Sequence, residues 1–152
     1  MGNGANQRIV VGVDGSPASE NALRWAVEQA RLTDGTVQTV TAWEYPAFYG
    51  WAGAVPIADG FDPQELATRT LAETVTRVAG AEPPVRISQT VIPGNPARVL
   101  LDAAAGATLL VVGSRGLGGF SGAFLGSVSR HLTEHSPCPV VVIRDDHGPA
   151  AG

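Results

Sequence analysis

The sequence predicts an α/β protein built on a doubly wound, five-stranded parallel sheet. Five short apolar runs rich in β-branched residues alternate with four helical patterns in the order β-α-β-α-β-α-β-α-β, without an internal repeat. Two of those runs, RIVVGV at 8–13 and TLLVV at 108–112, are almost continuously apolar, as strands covered on both faces are. The chain has 152 residues, 44% of them hydrophobic and 16% charged, enough to bury one core without disulfides or metal. We therefore expect a single domain over residues 1–152, its core spanning about 7–144 and its ends at 1–6 and 145–152 flexible.

The first strand, 8–13, is broken by Asp14-Gly15-Ser16-Pro17. Ser16 is a suitable N-cap and Pro17 fits the first helical position, so a helix starts there. It carries Ala22, Leu23, Ala26, Val27 and Ala30 at helical spacing and stops near Thr33-Asp34-Gly35. Residues 36–43, TVQTVTAW, have the β propensity of a second strand. Periodicity then dissolves over 44–62, where Tyr45, Phe48, Tyr49 and Trp51 either cover a bound base or partner surface or tuck in locally.

Pro63 to Gly80 reads as a helix with Leu66, Leu71, Val75 and Val78 facing the core. Residues 85–92, VRISQTVI, alternate and predict a strand near the sheet edge. Pro93-Gly94-Asn95-Pro96 leads into a short helix ending at about Ala105, followed by the strand at 108–112. A helix over 127–135 and a strand over 139–144 complete the pattern.

Between the fourth strand and the last helix, Gly113, Gly116, Gly118, Gly119, Gly122 and Gly126 crowd together. Glycine lets a ligand approach backbone N–H groups, and a helix start is favourable to anions, so this turn is suited to a phosphate. Ser127 brings a hydroxyl to that helix start, and it also suits an ordinary N-cap. Arg115, inside the loop, either reaches a phosphate or stays exposed, the commoner outcome for an arginine. In a doubly wound sheet the ligand crevice lies beyond the carboxyl ends of the strands where strand order reverses; if the first and fourth strands flank it, Asp14 faces the same crevice.

Composition excludes several chemistries. All ten basic residues are arginine, so no Walker lysine, Schiff base or lysine general base exists. A net charge of −4 with no basic cluster gives nucleic acid no electrostatic footprint. Cys138 is the single cysteine, which favours a reducing compartment; MGNGANQR lacks a signal peptide's apolar core, and no run is long enough for a bilayer, so the expected location is cytoplasmic and off the membrane. His131-Leu-Thr-Glu134-His135 formally matches a zinc-hydrolase pattern, but a third ligand and room for an open catalytic metal are missing. No GxGxxG follows the first strand, which argues against an NAD enzyme.

Gly113-Ser-Arg-Gly116, nine residues, then Gly126-Ser127 gives G-x2-G-x9-G-S, which resembles the ATP-binding signature of the universal stress protein family. VVGVDGS, VIPGNPARVL and HSPCPVVVIR are similar to that family's other motifs, and the likeness runs over roughly residues 7 to 144. The resemblance implies a flavodoxin-like, adenine-nucleotide-hydrolase-like sheet ordered 3-2-1-4-5, often in a homodimer. It implies Mg-ATP held with Val13 and Asp14 against the nucleoside, backbone around Ala42 at the adenine, Val112 and Gly113 on the ribose side, and Gly116, Gly126, Ser127 and Val128 at the phosphates, with Arg115 as a further contact. Some members bind cyclic AMP or no nucleotide. No evident base activates water near the loop, so ATP is expected to be held rather than hydrolysed. The apolar PVVVIR run at a sheet edge is a pairing hazard, and a homodimer through this last strand would cover it.

Overall fold

The computed structural model describes residues 7–44, 62–114 and 126–144. The aromatic residues at 45–51 and most of the glycine-rich segment, with Arg115 and Gly116, lie outside the described residues. Strands β1 (Arg8–Gly12), β2 (Thr36–Trp43), β3 (Ile87–Pro93), β4 (Leu109–Gly113) and β5 (Val140–Ile143) form one sheet in the order β3-β2-β1-β4-β5. Every neighbouring pair is parallel, with Val11 opposite both Thr39 and Val111. The expected fold class and strand order are both present.

Because side chains alternate along a strand, each strand feeds two cores. Ile9, Val11, Val13, Val37 and Val111 point to one face, where α1 (Pro17–Thr33) and α2 (Pro63–Ala79) cover them with Leu23, Ala26, Leu71 and Val75. Val10, Val40, Leu110 and Val112 point to the other, beneath α3 (Pro96–Ala103) and α4 (Ser127–His135), which supply Val99, Leu100 and Leu132. Glu20 of α1 and Arg77 of α2 form an ion pair of 2.6 Å between the helices on the first face.

Helix boundaries follow local chemistry. Ser16, Asp62 and Asn95 each cap the next helix by accepting a backbone N–H, and Pro17, Pro63 and Pro96 follow them. α1 stops at Thr33, where the sequence expectation put it, with Asp34 in the left-handed conformation at φ 60°. Gly35 is favoured by crowding, since a Cβ there would lie 3.1 Å from the Gln7 carbonyl oxygen. Leu66 is corrected. It is 47% exposed, whereas Leu71 and Val75 are buried. Five positions back from Leu71, at about 100° per residue, Leu66 sits about 140° off the apolar stripe. Among the described residues no helix is long and apolar enough to cross a membrane.

Candidate functional site

Strand order reverses between β1 and β4: the chain winds outward through β2 and β3, then returns to place β4 on the other side of β1. No helix crosses directly between the two carboxyl ends, so a crevice opens there. Val13 continues β1 past its last ladder pair, with its N–H donating to the Val40 carbonyl (2.9 Å) and its carbonyl accepting from Thr41 Oγ1 (2.8 Å). These bonds bring the end of β2, with Ala42, alongside the β1 terminus. Trp43 anchors that end further, since its carbonyl accepts from Gly94 N–H (2.7 Å) and its indole N–H donates to Gln64 Oε1 at the start of α2.

Asp14 is exposed at the mouth of the crevice. One carboxylate oxygen accepts the Ser16 N–H at 2.9 Å, and the Asp14 N–H donates to Ser19 Oγ at 3.3 Å. This Asx turn fixes the side chain against its own loop, and Gly15 completes the turn at φ 86°. The turn holds the carboxylate at the crevice rim.

Across the crevice, β4 ends at Gly113 and Ser114, and both ends of the glycine-rich segment meet at one atom. The Ser114 carbonyl accepts the Gly126 N–H at 2.6 Å and the buried Ser129 hydroxyl at 2.9 Å. Ser114 N–H in turn donates to the Ile143 carbonyl at 2.7 Å, tying the clasp to β5. Sequence reasoning missed Ser114 and Ser129. A serine three residues past a glycine-rich turn carries no distinctive spacing, and only the fold brings residues fifteen apart into contact.

The clasp refines the roles expected at the start of α4. Gly126 is the N-cap residue and lends no side-chain bond, so Ser127 is the first helical residue and not the cap. Gly126 N–H is committed to Ser114, which leaves Ser127, Val128 and Ser129 as the backbone donors of the first turn outside the helix ladder. The Ser127 side chain is exposed. Val112 and Val128 spend their side chains in the core beneath α3 and α4, so any ligand contact they make comes from backbone. Gly113 packs against α1: a Cβ there would stand 2.7 Å from Ala18 Cβ.

Fold and crevice define a doubly wound α/β protein whose open end lies at the β1–β4 switch point. The model of the universal stress protein family matches residues 5–144, and the chain belongs to that family. A universal stress protein of Mycobacterium tuberculosis is 35% identical over 137 residues, covering 90% of this chain and 45% of the relative. One of Mycolicibacterium smegmatis is 35% identical over 139 residues with the same two coverages. The chain thus spans about half the length of the curated relatives it matches. Among solved structures, universal stress protein UspA from Lactobacillus plantarum superimposes with a TM-score of 0.72 at 23% identity, over 92% of this chain and 99% of that one. A universal stress protein in complex with cAMP gives 0.65 at 28% identity, over 93% and 99%.

Proposed function

We propose that this protein binds ATP in the crevice between β1 and β4 and serves as a nucleotide-dependent module of the cytoplasmic stress response. The observation that carries the reading is the junction of the G-x2-G-x9-G-S segment: the Ser114 carbonyl holds both of its ends just past β4, as Asp14 stands just past the neighbouring β1. The proposed contacts are Val13 and Asp14 with the nucleoside, backbone near Ala42 with the base, and Val112 and Gly113 along the ribose. The phosphates fall to Gly116, Ser127 and Val128 with Arg115, while Gly126 shapes the turn through its bond to Ser114. The cAMP complex of a 28% identical relative supports an adenine nucleotide as ligand and favours cyclic AMP as the second reading.

Mg²⁺ fits this donor set as a companion of the phosphates. Among the described residues no three metal-binding side chains cluster, so of these Asp14 and the Ser127 hydroxyl would join a cation held chiefly by phosphate oxygens. With no lysine in the chain, the cation, the helix amides and Arg115 carry the charge neutralisation. Nothing in this set activates a water, so the reading is retention of the nucleotide rather than its hydrolysis.

The half-buried β5 edge supports a homodimer through that strand, because Val140–Ile143 leaves one side of its backbone unpaired in this sheet. A single sedimenting species at monomer mass at high concentration overturns that assembly.

Ser127→Pro tests the site cleanly. Proline is tolerated at the first helical position, as Pro17, Pro63 and Pro96 show, yet it deletes the amide and hydroxyl offered to phosphate. Loss of charge-assisted bonds worth about 1.5–3 kcal/mol predicts roughly 10- to 100-fold weaker Mg-ATP binding by calorimetry. Absence of ATP binding by the native chain, or equal affinity in Ser127→Pro, overturns the reading; preference for cyclic AMP over ATP selects the second.

A further inference from the structure

The chain holds three histidines, and two of them meet on α4. His131 and His135 stand one turn apart and exposed, on the helix flank beside the buried Leu132. Their ring centroids are 4.4 Å apart with the planes tilted by 40°. Glu134 completes the face, with Oε1 4.0 Å from His135 Nε2. Two imidazole nitrogens sharing one ion at metal–nitrogen distances near 2.0–2.1 Å lie roughly 3–3.5 Å apart, which rotamer adjustment of two rings already in contact can reach.

We propose that His131 and His135 form a surface clip for a divalent first-row transition cation, with Glu134 as a supporting carboxylate. Imidazole nitrogens select Zn²⁺, Cu²⁺ or Ni²⁺ over the hard cations Mg²⁺ and Ca²⁺. Among the described residues no three such side chains converge on one point, so Glu134 supports the clip from outside the ligand set, water fills the remaining positions and the site is a binding clip rather than a hydrolytic centre. Arg130, exposed on the preceding position, opposes a cation weakly, and the Glu134 carboxylate offsets it. Bridging i and i+4 also staples the last two turns of a nine-residue helix, a length at which isolated helices are marginal. The site is independent of the nucleotide reading.

The test is calorimetric titration of the untagged, chelator-cleared full chain with Zn²⁺ alone at neutral pH. One equivalent is expected to bind. Because both rings are exposed, His131→Ala and His135→Ala should keep native far-ultraviolet circular dichroism, and each should weaken binding by about 10- to 100-fold or more. His147→Ala and Cys138→Ser should leave it unchanged. Binding that survives both helix variants, that is lost with His147 or Cys138, or that Mg²⁺ matches in affinity overturns the clip. A second readout needs no variant: substoichiometric Cu²⁺ should broaden the ring proton resonances of His131 and His135 before those of His147, and simultaneous broadening of all three overturns the assignment.

Discussion

Gly113, the last residue of β4, and Ala18, in the first turn of α1, touch so closely that neither has room for more. A Cβ on Gly113 would lie 2.7 Å from Ala18 Cβ, 2.8 Å from its carbonyl carbon and 3.1 Å from its oxygen. Two of those atoms are backbone, so the helix itself would have to move. The glycine that opens the G-x2-G-x9-G-S signature is thus required by the packing of α1 on β4, before any ligand arrives.

Gly113→Ala should therefore destabilise the nucleotide-free protein by about 1–3 kcal/mol, the usual cost of overpacking. Urea unfolding measures it. An unchanged midpoint would show that α1 yields freely. The same contact makes substitution at Gly113 a poor probe of nucleotide affinity, because a lost fold and a lost ligand would look alike.

Ser129→Ala removes one of the two donors to the Ser114 carbonyl while Gly126 N–H remains. A loss of about 0.5–1.5 kcal/mol is expected by denaturant unfolding, as for one buried hydrogen bond. On the proposed function, Mg-ATP affinity should fall as well, since the clasp sets where the first turn of α4 begins. Unaltered stability and affinity together would remove the clasp from the account.

Arg8 closes the opposite end of the sheet. Its guanidinium donates to the Ala103 carbonyl at 3.0 Å, the Ala105 carbonyl at 2.9 Å and Gln38 Oε1 at 2.8 Å. The last turn of α3 has no basic residue of its own, so a side chain nearly a hundred positions away satisfies its carbonyls. Arg8→Met keeps the aliphatic stem and should cost about 1.5–3 kcal/mol. Thermal unfolding with no change would mean that water replaces the guanidinium at no loss.

Arg31, hydrogen-bonded to Glu28 at 2.5 Å one turn away on α1, holds that carboxyl below its ordinary value of 4.5. A carboxyl lowered in the folded state adds stability above its unfolded titration range and loses it as pH falls through the folded one. The pair is fully exposed and screened, so the effect belongs in a site titration rather than in a melting temperature. Carbon-13 titration of Glu28 should give a midpoint below 4.5, moving up in Arg31→Gln. An identical midpoint in both proteins would refute the coupling.

The element pattern was legible in the chain because the signals are local. β-branched runs, the Ser16-Pro17, Asp62-Pro63 and Asn95-Pro96 starts and Gly80 at the end of α2 each act within a few residues, and α4 spans the 127–135 predicted for it. Motif resemblance added the order of the sheet, which local periodicity does not encode. Leu66 was misread because a leucine counts as apolar wherever it falls on the helix, and only the placement of α2 on the sheet decides which stripe is covered.

The sequence by itself determined the alternation of strands and helices, the crowd of glycines and the absence of lysine, since these are properties of neighbours along the chain and of composition. Tertiary structure alone decided that Gly113 belongs to a helix–strand contact, that Gly126 and Ser129 converge on Ser114, and that Arg8 finishes α3. Each of those relationships joins residues far apart in sequence through a distance of a few ångströms. Packing sets such distances when two cores close on one sheet, and no spacing of letters along the chain records them.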